Sequence, residues 1–436
     1  MTRGTAVQRR SFVKNLAGLA TMSTAELTRV RAGSHETGWR KSFPALTQRI
    51  NGHPLVYLDS AATTLRPTPV IDALVRFDQT DNANPGAALH TLARRANTAL
   101  ETARATVASF IGAPDPLEIS FTRGTTEGLN LVAATWGAAH VRPGDEILIG
   151  RSEHASNMLP WRYLAQRTGA RLVYFDVDDT GKPRIDELIA LVNPRTRIVA
   201  FSHVSNVIGL VNPVRQICDA VRGPDRIIVV DGAQSVPHCS VNVRDLGCDF
   251  LAFSSHKMLG PMGVGVLWGR RELLDAMPPY QVGSNMAHEI DIVGEQLSAG
   301  GLKYSAGTPN VSGPVGLAAA IDFIRSIGFP AIMEHERSIT RHMLARQADM
   351  PRVRMLGSTD AMARVSVFSF LVDGRSPLEL VRALDAKGIA IRAGDLASLP
   401  LLQRFGVSAA ARASCYLYTT TEEIDRFCDV LAEAII

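Results

Sequence analysis

An aspartate and a lysine that follow two apolar runs have the widest chemical reach in this sequence. Ile227-Ile-Val-Val-Asp231 ends on Asp231, and Asp249-Phe-Leu-Ala-Phe-Ser254 leads into Ser255-His256-Lys257. Runs that are apolar along their whole length read as strands of a parallel sheet covered on both faces. Ligand sites in such sheets lie beyond the C-terminal strand ends, so Asp231 and Lys257 can reach one crevice. A lysine amine attacks an aldehyde once it has lost its proton, and a partly desolvated pocket favours that loss. A carboxylate in the same crevice can hold a pyridine nitrogen protonated, so that the ring accepts electrons. Singly, Asp231 would serve as a helix cap and Lys257 as a solvated surface charge. Their joint placement is what points to chemistry.

Three further signals surround this pair. Thr122-Arg-Gly-Thr-Thr-Glu-Gly128 sits between a strand and a helix. Helix N-terminal N–H groups and two hydroxyls there make a phosphate cradle, or an ordinary capping sequence. Arg412 lies in the otherwise apolar Ala411–Tyr418. A buried guanidinium needs an anion, either a protein acid or a substrate α-carboxylate. His154, in Ser152-Glu-His-Ala155, opens a helix and could stack on a ring or simply cap the turn. A Schiff-base lysine, a pyridine partner and a phosphate cradle together suit pyridoxal 5′-phosphate (PLP), whose freed lysine can then move a proton at Cα or Cβ of an amino acid.

The elements that must position these residues alternate along the chain. Strands are expected at 118–122, 145–149, 172–175, 197–201, 227–231 and 249–254, with helices at 126–136, 155–166, 184–191 and 213–221 between them. That is an α/β doubly wound pattern. A second unit of α+β type is expected from about Pro314, with helices at 315–326, 332–350, 378–387 and 421–435 and strands at 365–372 and 411–418. The organisation expected is an N-terminal extension (1–40), a large domain (41–310) with an N-terminal segment packing on the small one, and a small C-terminal domain (311–436).

Composition narrows the remaining classes. The chain has 436 residues, 46% hydrophobic, with 46 basic and 42 acidic side chains and a net charge of +4. The charge is mild and scattered, which argues against nucleic acid. No run of about 18 apolar residues marks a membrane span. Cys218, Cys239, Cys248, Cys415 and Cys428 show neither CxxC spacing nor a histidine at ligand spacing, so no metal is expected. Arg9-Arg-Ser-Phe-Val-Lys14 and the short apolar run after it resemble a twin-arginine export signal, or a basic extension. The location expected is cytoplasmic, with twin-arginine export to the periplasm as the alternative.

These pieces together resemble the class V aminotransferase family of fold-type I PLP enzymes, and within it the group II cysteine desulfurases. The likeness runs from about Tyr57 to Ile424 through Tyr57-Leu-Asp-Ser-Ala-Ala62, Phe121–Asn130, His203–Val207, Val230–Gln234, Phe253–Lys257, Ala306–Asn310 and Arg412–Ser414. It implies a large, mainly parallel domain of seven-stranded type and a smaller α+β domain. It implies Lys257 as the Schiff-base lysine, Asp231 as the pyridine partner, Gln234 on the phenolic oxygen and His154 on the ring. Thr125, Thr126, Ser254 and His256 would bind phosphate, with Thr308 reaching a neighbouring subunit's phosphate in a homodimer. Asn206, Arg412, His90 and Arg392 would meet the substrate.

The sequence also departs from the family pattern. Where the desulfurases carry a nucleophilic cysteine after Arg-x-Gly, Arg392-Ala-Gly-Asp-Leu-Ala-Ser398 places Ala397. An alanine cannot carry a persulfide. Cys415, three residues past Arg412 on a strand, would point to the opposite face. Changes at Gly86–Ala88 and Ser284–Asn285 would face the pocket as well. The expected function is lyase-type cleavage or exchange at Cβ (carbon–sulfur or carbon–carbon) of a small L-amino acid, without a persulfide relay. The alternatives are an epimerase or aminotransferase at Cα, or a desulfurase-like protein with altered or lost activity. A scaffold without activity would have no need of a buried lysine beside a buried acid.

Overall fold

The computed structural model describes residues 38–86 and 89–435. The arginine pair at residues 9 and 10 and the apolar run after it lie outside the described residues, as do Ala87 and Ala88.

The large sheet has seven strands: β1 Ile119–Thr122, β2 Glu146–Gly150, β3 Arg171–Phe175, β4 Thr196–Ser202, β5 Ile227–Asp231, β6 Phe250–Ser254 and β7 Gly265–Gly269. Their order is β1-β7-β6-β5-β4-β2-β3. The run from β6 to β3 is parallel, and β7 is antiparallel to both of its neighbours. This is the mainly parallel α/β architecture expected. β7 was not foreseen, because its apolar trio Val266-Leu267-Trp268 is short and sits between glycines.

β2, β5, β6 and β7 are buried at every position, as sheets covered on both faces require. Side chains alternate between two cores. Ile228 and Val230 join Leu251, Phe253 and Val266 on one face, packed with Leu317, Ile321 and Ile324. Ile227 and Val229 join Ile147, Phe250 and Leu267 on the other, packed with Leu129, Val132 and Trp161. Asp231 continues the parity of Ile227 and Val229, so its carboxyl emerges at the end of the second face.

A four-stranded antiparallel sheet follows: β8 Val353–Met355, β9 Val367–Val372, β10 Arg392–Gly394 and β11 Ala410–Ser414, in the order β8-β9-β11-β10. Helices Phe329–Ala348, Pro377–Asp385 and Thr421–Ile435 supply its core. Val56–Tyr57 pairs in parallel with Ile389–Ala390, tying the N-terminal segment to this unit. Helix Ser312–Ile327, which the sequence pattern assigned to the small unit, packs instead on the large sheet through Leu317, Ala320, Ile321 and Ile324. Apolar spacing shows that a helix has a buried face, but not which sheet receives it. The strand expected through Tyr418 ends at Ser414. Tyr416, Leu417 and Tyr418 turn away into the core of the large sheet. The Tyr416 hydroxyl donates to the Pro237 carbonyl at 2.6 Å, and Tyr418 meets the Ser60 hydroxyl at 2.8 Å.

Gly265, at the start of β7, lies against Gly124, where β1 turns into helix Thr125–Val132. A Cβ on Gly265 would stand 2.4 Å from Gly124 Cα. Backbone on both sides leaves nothing flexible to give way. Gly265→Ala is expected to lower unfolding stability by about 1–3 kcal/mol in urea titration.

Candidate active site

The C-terminal ends of β5 and β6 open into a cavity of about 450 Å³. Asp231 closes β5, and Lys257 sits in the short turn Ser255–Lys257 after β6. Thr125 and Thr126 begin helix Thr125–Val132, and His154 stands after β2. The small sheet contributes Arg392 and Arg412 and the loop through Ala397. The structure therefore brings Lys257, Asp231, His154, Thr125, Thr126, Gln234, Ser254, His256, Asn206, Arg392 and Arg412 to one cavity.

Burial makes the Lys257 ammonium costly, and the Arg412 and Arg392 charges add to that cost. Asp231 opposes them, and the amine settles at about 8, well below an ordinary lysine. Burial also pushes the Asp231 carboxyl upward, while the Ala233 N–H at 2.9 Å and Lys257 pull it back. His154 is lowered to about 4, first by burial and then by Lys257 and Arg412. Its Nδ1 accepts from the Ser156 N–H at 3.1 Å, so the neutral ring carries its proton on Nε2. A flat, uncharged imidazole of this kind can lie against an aromatic ring.

At the helix N-terminus the N-cap residue is Gly124, which has no side chain to cap the first turn. Ser254 Oγ accepts from the Thr125 N–H at 2.8 Å and lies 2.7 Å from the Thr125 hydroxyl. Thr126 Oγ1 meets Ser156 Oγ at 2.8 Å. His256, lowered to about 4 chiefly by burial, has a buried Nδ1 without a hydrogen-bond partner among the described residues. Gln234 donates to the Ala61 carbonyl at 2.7 Å, while its buried Oε1 has no such partner. Buried polar atoms left open in this way are rare in a finished core and call for a ligand. Hydroxyls and helix N–H groups suit a phosphate, Asp231 a pyridine nitrogen and Lys257 an aldehyde. The residues present thus fit PLP.

Arg412 is tied differently from the expectation. Its Nη1 donates to the Asn206 carbonyl at 2.9 Å and its Nη2 to Asp59 at 3.4 Å, leaving the buried Nε open. Asp59 also receives Arg392, at 3.1 and 2.9 Å. The Asn206 amide donates to the Leu396 carbonyl at 2.9 Å and accepts from Ser398 at 3.1 Å. It anchors the loop rather than presenting a free amide. That loop is also held by the Ala155 N–H on the Ala397 carbonyl at 2.7 Å, with Leu396 and Ala397 both left-handed (φ 52° and 53°). Asp59 and Glu153 carry no signal in the sequence, because a single acid in a short motif gives no sign of a partner far away in the chain.

Two expected residues stay outside the cavity of their own chain. His90 is exposed and caps helix Thr91–Phe110, its Nδ1 accepting from the Ala93 N–H at 3.2 Å. Thr308 is exposed and accepts from Asn84 at 3.3 Å. Gly86, Ser284 and Asn285 do not line the cavity either. None of the five cysteines does. Burial pushes Cys218 and Cys239 up to about 12 and raises Cys415, which is packed in the small-sheet core, so none is a ready nucleophile.

A mainly parallel sheet with a lysine and an acid at neighbouring strand ends defines a fold-type I PLP-dependent enzyme. The family model of class-V aminotransferases matches residues 56–427, and the chain belongs to that family. It is 44% identical over 388 residues to a probable cysteine desulfurase of Mycolicibacterium paratuberculosis, covering 89% of this chain and 56% of that protein. It is 41% identical over 415 residues to a cysteine desulfurase of Synechococcus elongatus (93% and 65%). The chain thus spans somewhat over half of these relatives' length. With a probable cysteine desulfurase of Halalkalibacterium halodurans the identity is 42% over 386 residues, covering 88% of this chain and 94% of the relative. The crystal structure of the Escherichia coli cysteine desulfurase CsdA (S-sulfonic acid) superposes with a TM-score of 0.84 at 35% identity. The apo cysteine desulfurase of Thermococcus onnurineus NA1 gives 0.87 at 34%. Each comparison covers 92% of this chain and 98% of the other.

Below pH 8 the Lys257 amine is an ammonium and cannot attack an aldehyde; above it the free amine can. Uptake of PLP by the apo-protein, followed by visible absorbance, is expected to accelerate through a midpoint near pH 8. An ordinary lysine would show the rise about two units higher.

Proposed function

We propose that this protein cleaves the Cβ–sulfur bond of L-cysteine or a sulfur-modified cysteine, and that the sulfur leaves without passing to a thiol of this chain. The observation that carries the second half is the cavity wall, where Ala397 stands on the small-sheet loop and no cysteine takes part. The first half is supported by the names of the relatives and structural neighbours. PLP, when bound, supplies the electron sink that makes a proton at Cα labile. Lys257 is placed to take that proton, and the open Arg412 Nε to hold the α-carboxylate. Asp231 keeps the sink protonated. The loop 395–398, pinned by Asn206 and Ala155, closes one side against water.

The reading covers two bond-breaking outcomes. From cysteine or an S-substituted cysteine the bonding pair departs with sulfur, leaving pyruvate and ammonia after hydrolysis. From cysteine sulfinate the pair stays on carbon, sulfur dioxide departs as sulfite and alanine remains. We also infer a homodimer, which is supported by Thr308 being exposed and outside the cavity of its own chain, as a residue reaching a neighbouring subunit's phosphate would be.

The test is incubation of the PLP-loaded protein in heavy water with cysteine, cysteine sulfinate, aspartate and S-substituted cysteines, with products read by mass spectrometry. Sulfide, thiol or sulfite from a cysteine-type substrate is the expected result. Deuterium at Cα with the side chain intact, or a new keto acid, would move the reaction to epimerisation or transamination. Lys257→Ala is expected to lower the rate by about 10²–10⁴-fold. In Ala397→Cys the new thiolate is expected to attack the sulfur of cysteine while the Cβ–S bonding pair stays on carbon, giving a persulfide on residue 397 and alanine; sulfide and pyruvate with no trace of such a species would mean that this loop does not face the substrate.

A further inference from the structure

Glu153 is a buried acid that the chemistry above does not use. It directly precedes His154 and is 1% exposed. Its Oε2 accepts from the Asn157 amide at 2.7 Å, and Asn157 in turn accepts from the Trp161 indole at 3.0 Å. Its Oε1 meets the Ser202 hydroxyl at 3.3 Å. Ser202 ends β4 and is the register partner of Asp231 on β5. In a parallel sheet such partners project on the same face, so the chain Asn157–Glu153–Ser202 ends beside the Asp231 carboxylate. Gly150, at the end of β2, makes room for it: a Cβ there would stand 2.7 Å from Glu153 Oε1.

We propose that Glu153 is a positioning residue that fixes Asp231 and His154 around the cofactor ring, acting as a hydrogen-bonded neutral acid rather than as a carboxylate. The geometry gives it both grips, Ser202 on the Asp231 side and Asn157 in the turn that follows His154. Its neutrality follows from its surroundings. Burial pushes Glu153 up to about 8, and the neighbouring Asp231 adds to the rise. Two carboxylates in one dry space do not both ionise. The Ala233 N–H and Lys257 both favour the charge on Asp231; at Glu153 the Asn157 amide and Ser202 hydroxyl also favour the charge, but burial outweighs them and leaves its carboxyl raised. A neutral Glu153 leaves Asp231 as the charged member, the state in which it can hold a pyridine proton. The inference rests on membership of the PLP family and not on which bond the enzyme breaks.

The experiment compares Glu153→Ala, Glu153→Asp and Glu153→Gln in the PLP-loaded protein. It reads the pH midpoint of the visible absorption band, the dissociation constant for PLP and the Tm of each apo-protein. Gln offers a carbonyl to Asn157 and an N–H to Ser202, the pattern of a protonated glutamate. Ala and Asp are expected to shift the band's midpoint and to weaken PLP binding by about 10–100-fold, with Gln restoring both. A Gln variant as perturbed as Ala would mean that Glu153 works as a carboxylate. An Ala variant with a lowered Tm but an unmoved midpoint and unchanged PLP affinity would mean that its role is only structural. Should the Ala variant fail to fold, the Asp–Gln contrast decides alone.

Discussion

The electrostatic coupling of Lys257 and Asp231, taken out of water at the ends of two adjacent parallel strands, is the constraint on which the rest of this structure depends. Burying either charge alone would be prohibitive. Burial and the two arginines bring Lys257 down to a usable amine near pH 8, Asp231 limits that fall, and Lys257 in turn helps the aspartate keep a negative charge in a dry place. Sheet register sets their approach: Asp231 on β5 is paired with Ala252 on β6 and Ser202 on β4. A slip of one residue in β5 would turn Asp231 into the opposite core, beside Leu251 and Phe253.

The same logic organises the cationic side of the cavity. Arg412 is almost wholly buried and needs an anion, which Asp59 supplies while also holding Arg392. One aspartate therefore keeps two guanidiniums in place, and the Arg412 Nε is left without a hydrogen-bond partner among the described residues. Asn206 is committed to the loop that carries Ala397. The wall is assembled from hydrogen bonds internal to the chain, and little at the site is left loose.

Much of this was legible in the sequence, and the reasons differ by element. Strands apolar along their whole length announced the parallel sheet, and β5 begins and ends where its apolar run does. Asp231 and Lys257 could be read because strand ends in such sheets are where ligands bind. β7 was hidden by its brevity. The partner sheet of helix Ser312–Ile327 was hidden because an apolar face does not name what it packs against. Asp59 and Glu153 were hidden for a related reason: each matters through residues far away in the chain, Asp59 through Arg392 and Arg412, Glu153 through Ser202. Thr308, which the family likeness assigns to a neighbouring subunit's phosphate, lies outside the cavity of its own chain, and so does His90.

The aromatic turn Tyr416–Tyr418 has a consequence for how the molecule comes apart. It leaves the small sheet directly after β11, the strand that carries Arg412, and buries its rings in the core beneath the large sheet. Chains with two sheets commonly lose one before the other. Here the strand bearing Arg412 cannot peel away without pulling two tyrosines and their hydrogen bonds to Pro237 and Ser60 out of the opposite core. The two halves are thereby coupled into one cooperative melting unit, and a protein that has lost its small sheet will not persist with a half-built site exposed to proteases.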